Sequence, residues 1–201
     1  MGRPAIISKQ LAAEAALAVI DEGGLEALSL DAVATRLGIR APSLYHHFAD
    51  RADLLSNVAR LMILSVPAHD DEVGDDWREA LVDVCVTTRK SLLEHPNAAP
   101  LLLQMLPRHT VTARYERWAQ WFAEAAVPSE AWLPLLDGLD SLTYGSVLLE
   151  SAAISGRLPP FPLTDTATHP HLAKALSANR QDPERVFRSV VRGFLDGLVP
   201  S

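Results

Sequence analysis

The chain has a single cysteine, Cys85, among its 201 residues, so no intrachain disulfide can form and a reducing compartment is expected. Long hydrophobic runs are missing as well. Apolar runs such as residues 61–66 and 101–103 fall far short of the roughly 18 residues that cross a bilayer, and residues 1–8 lack the apolar core and cleavage pattern of a secretory signal. The expectation is a cytoplasmic protein with no transmembrane helix. A surplus of basic charge is also absent: 18 Lys and Arg face 25 Asp and Glu, for a net charge of −7, which excludes a chain coated in positive charge for nucleic acid. Strand-like alternation of apolar and polar residues is hard to find, and there is no internal repeat.

What is present suits a folded helical protein. At 48% hydrophobic residues and a mean hydropathy of +0.09, the chain can bury a sizeable core, and its length fits one large domain or a small and a medium one. Apolar spacings of three and four residues recur from end to end, so the expected fold is all-α with about nine or ten helices.

Capping residues divide the chain. Ser8 is placed to cap a first helix with Leu11, Ala15, Val19 and Ile20 on one face, and Gly23-Gly24 to stop it. Ser29 caps a second, with Leu28 and Val33 in hydrophobic-staple positions and Asp31 at the positive end of the helix dipole. Gly38 ends that helix. Pro42 restricts Ala41 to extended backbone, so Ala41 is the expected cap of a short third helix running from Pro42 through Phe48. Asp50 and Asp53 form an acidic capping box for a fourth, closed by Pro67. Residues 68–76 are too polar to pack, and the expected division is 1–49, a connecting helix at 50–66, and a larger domain at 67–201.

Beyond the boundary, a helix from Trp77 stops before Pro96, a short Leu-rich piece lies between Pro100 and Pro107, and a helix from about Thr112 stops at Pro128. Residues 129–155 read as a long helix ended by Gly156, and Pro159, Pro160 and Pro162 prevent regular helix after it. Asp182 and Pro183 open a final helix whose apolar stripe, Val186, Phe187, Val190, Val191, Phe194, Leu195 and Leu198, is wider than one core face requires.

The segment 30–48 carries the chemistry. Val33, Ala34 and Leu37 face inward, Gly38-Ile39 makes the turn, and Leu44 and Phe48 face inward again, which is a helix-turn-helix pattern. Ala34 is small where two helices cross steeply, Gly38 allows the positive φ of a tight turn, and Ile39 plugs the corner. The window 32–49 contains Arg36, Arg40 and two histidines but no carboxylate. A short helix in a major groove shows its N-terminal side chains to base edges and its free N–H groups to phosphate. With Ala41 as a cap lacking a side-chain oxygen, the N–H groups of Ser43 and Leu44 would stay free for phosphate. Arg40 suits guanine O6 and N7 or a phosphate, Ser43 and His46 can donate to bases, and the Tyr45 hydroxyl suits the backbone. The expected DNA-contacting set is Arg3, Ser29, Arg40, Ala41, Pro42, Ser43, Tyr45, His46 and Arg51, with Arg3 entering a minor groove and Arg51 reaching a phosphate.

The string from Leu37 to Leu55, LGIRAPSLYHHFADRADLL, resembles the DNA-binding signature of the TetR family of transcriptional repressors. The resemblance covers residues 8–66 and implies an all-helical homodimer that binds a palindromic operator through its N-terminal helices and releases it when a small molecule binds the larger domain. The C-terminal part is similar, more weakly, to the tetracycline repressor at Trp77, Arg89, Leu92-Leu93, His95 and residues 142–148. Two departures bear on the effector: by that likeness Leu102 replaces a magnesium-binding histidine and Pro67 a drug-contacting one, so a magnesium–tetracycline effector is not carried over. Asp31 replaces a base-reading arginine, so base reading is expected to rest on the third helix.

Leu102, Met105, Trp118, Phe122 and Tyr144 are the candidate effector contacts, because large apolar side chains with few charges suit a pocket for an apolar or aromatic ligand. The final helix and the mixed small and apolar surface at Gly138, Ser141, Leu142 and Gly145 of the long helix before it suit a four-helix interface between two copies, as the family resemblance implies. No nucleophile elbow, P-loop, dinucleotide fingerprint or zinc-protease motif occurs, so no catalytic residue and no cofactor is expected. The acidic run 69–76 lacks calcium-loop spacing and reads as a solvated linker. His169 and His171 flank Pro170 in what reads as an exposed loop, Cys85 packs as a small hydrophobe, and no metal site is assigned. The alternative reading is a helical small-molecule-binding protein or an enzyme without DNA binding.

Overall fold

A computed structural model describes residues 8–67, 76–105, 107–158, 166–178 and 182–199. All regular elements among them are helical, ten α-helices and three short 3-10 turns. The chain forms two compact units, residues 1–68 with 90–118 and residues 69–89 with 119–201.

In the first unit, α1 (Lys9–Gly23) opens on Ser8, whose Oγ accepts from the Leu11 N–H, and closes on Gly24 at φ 77° and ψ 176°, a region only glycine reaches without strain. After a 3-10 turn at Leu25–Ala27, Ser29 caps α2 (Leu30–Leu37) by accepting from the Ala32 N–H. The staple residues Leu28 and Val33 are both buried. Two helices follow, the short α3 (Ala41–Tyr45) and the longer α4 (Arg51–Leu64). Asp50 caps α4 by accepting from the Asp53 N–H, and the Asp53 carboxylate reaches back past the cap to accept from the Ala49 N–H at 3.2 Å, one residue before the position that a capping box uses. The core is a small-residue face of α1, Ala12, Ala13, Ala16 and Ile20, against Leu54, Val58 and Met62 of α4. Small side chains there let the two helices approach closely.

Residues 90–118 add to this unit the end of α5 (Trp77–Leu93), α6 (Leu101–Met105), a 3-10 turn at Arg108–Val111 and the start of α7 (Thr112–Glu124). α6 packs on α4. The turn between α5 and α6 is tied to the end of α1, because the Asp21 carboxylate meets His95 Nδ1 at 2.8 Å and the Asp21 carbonyl accepts from Asn97 at 2.8 Å.

The second unit holds the start of α5 and the end of α7, then α8 (Trp132–Ile154), α9 (Pro170–Ala178) and α10 (Pro183–Leu198). Asp182 caps α10 by accepting from the N–H groups of Glu184 and Arg185, with Pro183 at the first position where no N–H is needed. α8 and α10 pack over Leu135, Leu139, Val147, Phe187, Val191 and Leu195. Gly138 makes this contact close: a Cβ there would lie 2.1 Å from the ring of Phe194. Arg89 of α5 is buried, donating to Ser146 Oγ at 2.9 Å and to Glu150, both on α8, with its guanidinium 5.4 Å from the Phe187 ring. Burial lowers the Arg89 pKa from its usual value, opposed by the charges of Glu184 and Asp182.

Two expectations are corrected. The third helix ends at Tyr45 rather than Phe48, because the His47 and Phe48 N–H groups both turn back to the Leu44 carbonyl. His171 lies in a helix, not a loop: Pro170 is the first residue of α9, a position where its locked φ and missing N–H fit.

Candidate nucleic-acid interface and effector site

The turn between α2 and α3 is built by backbone hydrogen bonds. Gly38 is left-handed at φ 66° and ψ 30°, its N–H donates to the Thr35 carbonyl, and the Ile39 N–H reaches back to Ala34 at 3.0 Å. This is a Schellman stop, which fixes the angle at which the chain leaves α2. α3 then rests on buried Leu44, with Phe48 buried just beyond it. Five residues are far too few to hold a helix in water unaided. Burial of the Leu44 side chain contributes about 1.5–3 kcal/mol and orients the rest.

The cap of α3 is Arg40, not Ala41. Arg40 is extended at φ −87° and ψ 138°, Ala41 is helical, and Pro42 falls in the first turn, where the absence of its N–H leaves no bond unmade. The Ser43 N–H donates to the Arg40 carbonyl at 2.9 Å, so it is not free for a phosphate. The outward set survives this shift. Arg40, Pro42, Tyr45 and His46 are exposed, Tyr45 at 57%, and Ala41 and Ser43 are half-buried beside them.

Ser29 is exposed, with its Oγ engaged as the cap of α2. Arg51 does something sequence reasoning missed. Its Nε–H donates to the Leu28 carbonyl at 3.0 Å and its Nη2 to the Leu25 carbonyl at 2.7 Å, so it braces the turn that leads into Ser29 and α2. Arg36 is likewise occupied, donating to Glu22 on α1 at 2.8 Å, and that hydrogen bond holds the Glu22 carboxyl below its ordinary range. Lys9 lies 5.5 Å from the Phe48 ring centroid and 3.9 Å from the Asp53 carboxylate. Arg40 thus remains as the exposed arginine at the start of α3 whose side chain has no hydrogen-bond or ion-pair partner among the described residues. Arg3 lies outside the described residues.

The five effector candidates divide between the units. Leu102, Met105 and Trp118 belong to the first, where Leu102 and Trp118 are buried and Met105 half-buried; Phe122 and Tyr144 belong to the second, both buried. Phe122 meets Trp77 edge-on at 5.4 Å and lies 6.4 Å from Trp132, so it is held in the aromatic core of its unit. Cys85 is buried. Of the acidic run 69–76, all but Asp76 lies outside the described residues, and among those described no three His, Cys, Asp or Glu side chains cluster as a metal site.

Comparison with known proteins agrees with this architecture. Residues 13–58 match the family of bacterial regulatory proteins called the tetR family, and residues 70–200 match the tetracycline repressor-like C-terminal domain. The class A tetracycline repressor of transposon 1721 from Escherichia coli is 27% identical over 92% of this chain and 87% of its own length. A possible TetR family transcriptional regulator from Streptomyces coelicolor A3(2) superimposes with a TM-score of 0.80 at 27% identity, covering 95% of this chain and 98% of that one. ActR of Streptomyces coelicolor, crystallised with actinorhodin, shares the fold at a TM-score of 0.77 and 22% identity, over 96% and 97% of the two chains. With both parts matched, the second over more than half of its length, the chain belongs to the TetR family of bacterial regulatory proteins.

Proposed function

We propose that the protein is a homodimeric transcriptional repressor that holds a near-palindromic operator and lets it go when a small molecule binds. The observation that carries this reading is the exposed set Arg40, Tyr45 and His46, with half-buried Ser43 beside them, at a helix whose placement is dictated by the Gly38 turn and by Leu44. Residues 1–49 read DNA, 50–66 connect, and 67–201 bind the effector and the second copy. Two such helices, about 34–36 Å apart, enter successive major grooves. Release follows if the effector binds more tightly to a dimer whose two helices are wrongly spaced.

The dimer is supported by an apolar surface on α8 and α10. Leu149 and Ile154 of α8 and Val190 and Leu198 of α10 are exposed large apolar residues, and Gly193 and Gly197 lie on the α10 side with Val190. Small and apolar residues on two packed helices suit a four-helix interface across a two-fold axis. The protein acts in the cytoplasm, and no catalytic role is assigned to any residue.

In vitro selection of DNA fragments by the purified protein at moderate salt tests the reading. Enrichment of a palindrome with two-fold spacing is expected, and its loss in Arg40→Ala. Absence of any enriched sequence overturns the repressor function.

A further inference from the structure

Two adjacent residues in the last turn of α1 reach in different directions, and each is held by a different part of the first unit. Glu22 accepts from Arg36, in the last turn of α2, at 2.8 Å. Asp21 turns to the segment between α5 and α6: its Oδ2 meets His95 Nδ1 at 2.8 Å, and its backbone carbonyl accepts from Asn97 Nδ2 at 2.8 Å. A carboxylate oxygen can only accept, so Nδ1 carries the proton. The other oxygen, Oδ1, has no accessible surface and no hydrogen-bond partner, so among the described residues the Asp21 carboxylate is hydrogen-bonded through His95 alone.

His95 is in turn built into the start of α6. Its carbonyl accepts from the Ala98 and Ala99 N–H groups at 3.0 and 3.1 Å, and their carbonyls accept from Leu101 and Leu102 at 2.9 and 3.0 Å. All four of these residues are buried. A segment packed and hydrogen-bonded in this way shifts as one piece rather than bending, so a displacement of α6 is felt at Asp21. From Asp21 the way to the reading helix is short. Arg36, the partner of Glu22, stands two residues before the Gly38 turn that leads to α3. The exposed Glu22–Arg36 pair adds little by itself, and the packing of α1 on α2 and α4 carries the rest.

We propose that Asp21, His95 and Asn97 form a coupling clasp, which makes the last turn of α1 follow α6, so that occupancy of the effector site alters the seat of the helix-turn-helix. This rests on the reading of the protein as an effector-released repressor, with Leu102 and Met105 of α6 among the effector contacts. Asp21 and His95 are positioning residues that act through α1.

The test uses operator DNA as the ligand. Coupling between two sites is reciprocal, so DNA that fixes α2 and α3 steadies α6 in return. Hydrogen–deuterium exchange of the full-length protein, read by mass spectrometry on peptides covering residues 98–105, is compared with and without the DNA fragment enriched by selection. In wild type, operator is expected to slow exchange there by roughly fivefold or more. His95→Leu removes the donor and is expected to abolish the slowing while operator still binds. His95→Asn, whose amide N–H reaches the place of Nδ1, is expected to restore it. Asp21→Leu combined with His95→Leu leaves no polar partner orphaned, so it reads the same loss should the single variant fail to fold. A bond of purely structural value would lower the melting temperature of the variants and leave the effect of operator on residues 98–105 intact, and that result overturns the clasp. Unchanged exchange at 98–105 in wild type bound to operator overturns it too. Wild type that binds no DNA fails at the earlier step, and the repressor reading falls together with the clasp.

Discussion

Replacing Arg51 with alanine separates two jobs that an arginine at the start of α4 can do. In the structure its guanidinium holds the Leu28 and Leu25 carbonyls at 3.0 and 2.7 Å. Each bond involves a charged donor but is partly open to water, so the pair contributes about 1–2 kcal/mol to stability. For a chain of this size that corresponds to a fall in melting temperature of about 2–8 °C. Because the brace sets the entry to α2, operator affinity falls as well, while the number of phosphates neutralised stays the same. The slope of log affinity against log salt is therefore unchanged. An arginine lying on a phosphate behaves differently: its loss removes about 0.9 from the slope per contact, about 1.8 for a dimer, and leaves the melting temperature alone. Arg51→Lys sharpens the comparison, since lysine keeps the charge for a phosphate but has no planar fork to span two carbonyls. It should melt like Arg51→Ala. A reduced slope with wild-type melting in Arg51→Ala, restored by lysine, refutes the brace.

Arg40→Ala is expected to melt like wild type and to lose about 1–3 kcal/mol of operator binding, measured by anisotropy on the selected fragment, because Arg40 is exposed and supports no fold contact. Gly138→Ala is expected to destabilise the protein by about 1–3 kcal/mol in chemical denaturation, since the added methyl must displace the Phe194 ring, and Phe194→Leu in the same chain should recover part of the loss. The Glu79 carboxyl is held below its ordinary range first by its hydrogen bond from Arg192, with burial opposing. The stability from this pair is thus present at neutral pH and disappears as pH falls through the carboxylate range. Melting curves of Arg192→Gln should lie below wild type at neutral pH and converge with it in acid, and the gap should narrow with added salt.

Much of the fold was legible because helix ends are local chemistry. Ser8, Ser29, Asp50 and Asp182 each cap the helix that their side chains suggest, and Gly24, Gly38 and Gly156 each adopt the positive φ that glycine permits. Where the local signal is weak, the reading slipped. Arg40 caps α3 without any side-chain bond, so nothing in its chemistry marks it, and the proline rule that pointed to Ala41 expresses a preference that packing of Leu44 overrides. Pro170 between two histidines looks like a loop, yet proline is also a good first residue of a helix. The pairing of Arg51 with carbonyls 23 and 26 residues earlier leaves no trace in spacing. Nor does a boundary drawn along the chain express that residues 90–118 pack with the N-terminal helices.

The brevity of α3 has a consequence for how such a regulator changes over generations. Its five residues are held by Leu44 and, just beyond, Phe48, neither of which faces outward. The side chains of Arg40, Tyr45 and His46 are exposed, so exchanging them singly is expected to cost the fold little, which melting curves of each variant would check. With α3 reading DNA as proposed, a new target sequence requires only a few replacements of exposed side chains on a scaffold that stays as it is.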